Sequence, residues 1–170
     1  MQGVHAIITG ILRIMHPDLY ATACEAIEQT SRRYPDLKPQ LDSWGCPFTA
    51  ATVISNRITP PHRDPRSRDQ YFDLLTSAGT FPRIEMKFAG LGYISEMRPG
   101  GVCGLLGHIV QHEVPDWKTG DRVCVAWYMR ASVHAAVDAC PAGWMTQDRY
   151  QGIICNEQKY FGSSFPPKKF

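Results

Sequence analysis

His62-Arg63-Asp64 sets an imidazole and a carboxylate two residues apart, and Pro60-Pro61 just before them forbid a helix and favour extended chain. In an extended segment both side chains point to one side, so they can share a metal ion. One histidine from a distant strand would complete a facial triad, which leaves three positions open on an octahedral ion such as iron(II). His108 and His112 are the two candidates. They lie four residues apart in GHIVQHEV (107–114), and strand parity gives both the same face. Arg122 favours His112: it follows by ten residues, across a turn through Pro115 and Gly120, and opens the apolar run 123–129. From a neighbouring strand its fork of donors can clasp a carboxylate in the same pocket. His108 stays the alternative ligand, with a plain pocket histidine as its other role. An H-x-D triplet alone is a weak signal, whereas the ordered set His62, Asp64, His112 and Arg122 implies metal chemistry with an anionic co-substrate.

These residues need strands to hold them, and the chain around them reads as short strands separated by turn signals. Segments 48–54, 83–88, 91–95, 102–114 and 121–130 have strand composition, punctuated at Ala89-Gly90, Pro99-Gly100-Gly101 and Thr119-Gly120. Upstream, the Ile- and Leu-rich stretch 6–14 reads as a buried strand. Pro17 suits the first turn of a helix, and Leu19, Ala23, Ala26 and Ile27 continue it at near-helical spacing to about residue 33. A helical start followed by regularly spaced strands predicts an α+β fold, a β-sandwich or barrel buttressed by N-terminal helices. The tail from Gly162 has no periodicity and reads as loosely docked or frayed.

Composition sets the outer bounds. The chain has 170 residues, 44% apolar and 20% charged, which is ordinary globular composition for one domain. A net charge of +2 announces no nucleic-acid binder by itself, yet Arg57, Arg63, Arg66 and Arg68 cluster around the metal motif. The six cysteines, at 24, 46, 103, 124, 140 and 155, form no CxxC pair and no zinc spacing, and read as reduced, mostly buried thiols. His5, Gly10 and Arg13 interrupt the opening apolar run, which is too short to span a bilayer and lacks the marks of a signal peptide. The expected location is intracellular, nuclear or cytoplasmic, with no membrane association and no oligomer required.

Five ordered segments carry a resemblance: SNRITPPHRD (55–64), YFDLL (71–75), PGGV (99–102), GHIVQHEV (107–114) and GDRVCVAWYMR (120–130). Together they resemble the TET/JBP-like oxygenases in their small, fungal-type form. The resemblance implies a double-stranded β-helix (jelly-roll) core, iron(II), 2-oxoglutarate and O2, and oxidation of a methyl group on a modified base, 5-methylcytosine or N6-methyladenine, in nucleic acid. It implies that His62, Asp64 and His112 hold the iron and that Arg122 binds the distal carboxylate of 2-oxoglutarate. It places Ser67 and Arg130 at base-contact positions, where animal members carry an asparagine and a histidine. Among this chain's own residues, Asp73, just after Tyr71 and Phe72, is the first candidate for reading the base edge, and Asn56 the second. A single oxygenase domain over 1–170 is expected, with support at about 1–47, the catalytic core at about 48–135 and an extension over 136–170. Two alternatives stand beside it: the same chemistry on a small molecule or a protein side chain, and a non-catalytic binding domain of the same fold.

Overall fold

The computed structural model describes residues 2–156, so the tail from Gly162 lies outside the described residues. The chain forms two compact units, one holding the chain up to Pro47 together with the chain from Ala131 on, the other spanning Phe48–Arg130.

The first unit is helical: α1 (Gln2–Met15), α2 (Pro17–Arg33), α3 (Lys38–Trp44), α4 (Ala131–Ala136) and α5 (Gln147–Cys155). α1 corrects the expectation of a buried strand over 6–14. His5, Ile8 and Leu12 are buried at spacings of three and four, while Val4, Ile7 and Ile14 are exposed, which is one face of a helix. α2 begins as expected, with Pro17 in its first turn and His16 as N-cap, whose Nδ1 accepts the Leu19 N–H at 3.1 Å. Arg149 of α5 forms a forked ion pair with the buried Asp18 of α2. Among the described residues no helix is long and apolar enough to cross a membrane. Of the cysteines, Cys46 and Cys124 are buried, whereas Cys140 and Cys155 are exposed, so the expectation of mostly buried thiols holds only in part.

The second unit carries eight strands: β1 (Ala50–Ser55), β2 (Thr59–His62), β3 (Asp73–Gly79), β4 (Ile84–Phe88), β5 (Tyr93–Met97), β6 (Val102–Leu105), β7 (His112–Val114) and β8 (Arg122–Tyr128). They form two four-stranded sheets, β1-β8-β3-β6 and β2-β7-β4-β5, with every pairing antiparallel. First pairs with last, second with seventh, third with sixth and fourth with fifth. That is a long hairpin coiled on itself, the double-stranded β-helix of a jelly roll. The fold is therefore α+β, with antiparallel sheets and N-terminal helices. Phe81, Ile84, Met86, Phe88, Met97, Leu105 and Val114 form a buried cluster within this unit.

Two details of the strands matter for the site. The single strand expected over 102–114 is two strands in different sheets, joined by a turn that contains His108. Parity along one strand therefore does not relate His108 to His112. At the other end, Gly79 (φ +138°) faces Arg122 in register, and a Cβ there would lie 2.0 Å from the Asp121 carbonyl oxygen. Only glycine allows the start of β8 to approach β3 so closely.

Candidate metal centre and cavity

β2 and β7 pair so that His62 and His112 stand directly opposite one another. Their rings lie with centroids 4.2 Å apart. Asp64, two residues past His62, reaches toward both: its carboxylate oxygens lie 3.8 Å from His62 Nε2 and 3.7 Å from His112 Nε2. One ligand atom from each of the three lies within 4.8 Å of the others. Each imidazole is oriented from behind, with Nδ1 of His62 2.9 Å from the Pro60 carbonyl oxygen and Nδ1 of His112 2.9 Å from that of Val110. A carbonyl can only accept, so each Nδ1 carries the proton and each Nε2 presents its lone pair toward the centre. Burial also lowers the pKa of His112, which favours the neutral, ligating form. A 2-His-1-carboxylate set on one side of a cavity suits iron(II) with positions left open.

His108 does not join this trio. Its Nδ1 lies 3.0 Å from the Asp64 carbonyl oxygen and its Nε2 3.3 Å from Asp69. The neighbouring Gly107 lets two carboxylates converge, because a Cβ there would meet Asp73 Oδ2 at 2.4 Å and Asp64 Oδ2 at 2.5 Å. Asp73 is buried, and its pKa is pushed up to about 7, first by burial and then by the charge of Asp64, with Arg130 and the Gly107 N–H acting in the opposite direction.

The trio and Asp73 line a cavity of about 320 Å³. β8 supplies one wall by simple alternation: Arg122, Cys124, Ala126, Tyr128 and, just past the strand, Arg130 all face it. Arg122 is 3% exposed. Its Nη2 makes a long contact of 3.4 Å with Ser77 Oγ, its guanidinium lies 5.9 Å from the Trp117 ring centre, and its Nε has no hydrogen-bond partner. No carboxylate among the described residues pairs with it. A buried guanidinium without a counter-charge is costly, and an anion placed against it would offset that cost. Two more polar atoms at the cavity, Asp73 Oδ1 and Ser67 Oγ, are likewise buried without a partner.

The remaining expected residues separate. Ser67, Asp73 and Arg130 line the cavity, and Arg130 lies 4.7 Å from the Tyr128 ring centre while donating to its hydroxyl at 3.2 Å. Asn56, expected at the substrate, does not line the cavity. Its Oδ1 accepts the Arg122 backbone N–H at 2.7 Å and its Nδ2 donates to Asp121 at 2.8 Å, which fixes the start of β8. Of the four clustered arginines, Arg57 and Arg66 stand at the cavity, Arg63 donates to the Ile109 carbonyl, and Arg68 lies over Tyr71. Sequence reasoning missed Tyr128, which reads as strand packing beside Trp127. Extending the alternation from Arg122 by three steps of two would have placed it at the cavity.

The Tet_JBP family, the oxygenase domain of the 2OGFeDO superfamily, matches residues 1–131. No curated protein matches the chain. Among solved structures, NgTET1 in complex with 5mC DNA is 19% identical, with a TM-score of 0.47 over 65% of this chain and 43% of that one. The chain thus spans less than half of that protein's length. A cupin 2 conserved barrel domain protein from Salinispora arenicola is 12% identical, with a TM-score of 0.36 over 52% of this chain and 68% of its own. Ectoine synthase from P. lautus is 19% identical, with a TM-score of 0.30 over 58% and 67%. With 131 of its 170 residues matched, this chain belongs to the Tet_JBP family of 2OGFeDO oxygenase domains.

Proposed function

We propose that this chain is an iron(II)- and 2-oxoglutarate-dependent dioxygenase that oxidises the methyl group of a methylated base, 5-methylcytosine or N6-methyladenine, in nucleic acid. The observation that carries the reading is the pairing of two features on one cavity: the His62, Asp64 and His112 trio and the buried, uncompensated Arg122. In this reading the trio would hold iron(II) and Arg122 would receive the distal carboxylate of 2-oxoglutarate. Iron(II) and 2-oxoglutarate held there would, with O2, supply the oxidising power, the co-substrate being converted to succinate and carbon dioxide.

The chain's own residues do the rest. The Pro60 and Val110 carbonyls fix the two imidazoles, so the ligand geometry exists before anything binds. Asn56 fixes the backbone of Arg122, which sets where the co-substrate carboxylate can lie. Asp73 Oδ1, an acceptor without a partner, offers a contact for the exocyclic amino group of a base, and Ser67 Oγ a second contact. Arg130 and Tyr128 form a stacked pair on the same wall and offer a flat surface to a base. Arg57 and Arg66 stand exposed at the cavity and suit the phosphates on either side of a base turned out of its stack. An intracellular location, nuclear or cytoplasmic, accompanies this substrate.

The test is succinate formation from 2-oxoglutarate by the iron-loaded protein, with and without 5-methylcytosine DNA, in the parent and His112→Ala. The reading expects turnover that DNA stimulates and that His112→Ala abolishes. Turnover that ignores DNA but responds to small metabolites would move the substrate to that class, and turnover retained in His112→Ala would remove the metal assignment.

A further inference from the structure

The turn after β6 grips the metal motif by its backbone, and His108 is the side chain that closes the grip. Asp64 is held at both of its backbone polar groups. Its N–H donates to the Gly107 carbonyl at 2.9 Å, while its carbonyl accepts the Ser67 N–H at 3.2 Å and faces His108 Nδ1 at 3.0 Å. Because that carbonyl can only accept, His108 Nδ1 is the donor. The opposite nitrogen of the ring, Nε2, lies 3.3 Å from Asp69, and when it too carries a proton the imidazolium spans two points of the same loop. Arg63 adds a third tie, donating through Nε to the Ile109 carbonyl at 2.8 Å.

Residues 63–72 belong to no helix or strand, so the end of β2 does not by itself determine where the Asp64 carboxylate lies. We infer that His108 is a positioning residue for the metal centre: by tying the Asp64 backbone to the 107–109 turn, it sets the carboxylate relative to the Nε2 atoms of His62 and His112. The inference rests on the reading of His62, Asp64 and His112 as metal ligands. His108 itself supplies no atom to the trio. Its side chain is 36% exposed, so truncation also removes part of a half-buried ring, and the thermal melt reads that packing loss apart from the metal affinity. The loss falls on geometry. Outer partners that orient metal ligands typically change metal affinity by about 10- to 100-fold.

The experiment is a titration of the metal-free protein with Mn(II), followed by electron paramagnetic resonance, which reports binding without turnover. Parent, His108→Ala, His108→Asn and Asp64→Ala are compared, with a thermal melt of each. The expected result is Mn(II) binding about 10- to 100-fold weaker in His108→Ala at little change in melting temperature. His108→Asn keeps an N–H donor close to the Nδ1 position and is expected to recover most of the affinity. Parent-like affinity in His108→Ala, or an equal loss in His108→Asn, overturns the inference. Asp64→Ala separates the two levels: if it binds Mn(II) like the parent, the ligand assignment itself falls. Should His108→Ala fail to fold, Asp69→Ala takes its place. It frees the far side of the ring and is expected to weaken Mn(II) by a smaller factor, and parent-like affinity there would equally overturn the inference.

Discussion

Arg122→Met separates a residue kept for packing from one kept for an absent anion. The methionine roughly follows the aliphatic stem and removes a charge that is 3% exposed with no carboxylate partner. What the protein loses internally is small: one long contact to Ser77 at 3.4 Å, an interaction with the Cys124 thiol, and a guanidinium 5.9 Å from the Trp117 ring centre, at the outer edge of cation–π range and worth at most ~2 kcal/mol. What it sheds is the desolvation of an unpaired buried ion, and replacing buried ionic groups by apolar ones of similar volume stabilises by as much as ~1–4 kcal/mol. The balance predicts that the ligand-free variant is more stable than the parent by about 1–2 kcal/mol, a rise in Tm of roughly 3–6 °C for a chain of this length. The ligand response moves the opposite way. Each charge-assisted hydrogen bond to a carboxylate contributes ~1.5–3 kcal/mol, so losing a two-pronged contact weakens 2-oxoglutarate by about 100-fold or more. In differential scanning fluorimetry with Mn(II), the parent should gain ~2.7 kcal/mol of stability at 100 times its Kd for 2-oxoglutarate, and Arg122→Met almost none at the same concentration. A variant that is less stable without ligand, yet keeps the ligand-induced shift, would mean that Arg122 serves packing and not an anion.

Three further perturbations follow from other parts of the structure. Gly107→Ala places a methyl group 2.4–2.5 Å from two carboxylate oxygens, so both must move, the Asp64 carboxylate included; Mn(II) affinity should fall by about tenfold or more, which isothermal titration measures. Asn56→Ala loses the bonds to the Arg122 N–H and to Asp121 and puts at φ +46° a residue less suited than asparagine to left-handed backbone; urea denaturation should show a loss of about 2–3 kcal/mol, part of which Asn56→Gly recovers. His16 is held below its ordinary 6.5 chiefly by burial. As pH falls, the unfolded chain therefore takes up this proton first, so stability declines from about pH 6.5 downward until the folded value is reached. His16→Asn keeps an N-cap acceptor without the titration, and calorimetric scans between pH 8 and 5 should show a shallower acid slope.

The strand half of the fold is legible because its turns are written in glycine and proline, and because Pro60-Pro61 deliver His62 in extended chain. β3 escaped notice: LLTSAG has no aromatic and only one β-branched residue, Thr76, and it is a strand because two neighbours hydrogen-bond to it. α1 misled by composition, since its many isoleucines suit a strand, while the spacing of His5, Ile8 and Leu12 already had the helical period. The break between β6 and β7 had a signal too, in Gly104 and Gly107, which interrupt a run too long for one strand. At the cavity, the ordered histidine, aspartate and arginine were visible from spacing. Asn56 was singled out for a substrate contact, whereas the structure bonds it to a backbone N–H sixty-six residues away, a partner no local pattern reports.

The most direct test of the account is the mass of the nucleic acid itself. Single- and double-stranded oligonucleotides carrying one 5-methylcytosine or one N6-methyladenine are incubated with protein, iron(II), 2-oxoglutarate and O2, then digested to nucleosides and analysed by mass spectrometry. The account predicts that one of these bases gains an oxygen on its methyl carbon, or loses the methyl as formaldehyde, in the parent and not in His62→Ala. Unmodified bases in every oligonucleotide, under conditions where the same protein converts 2-oxoglutarate to succinate, would contradict it.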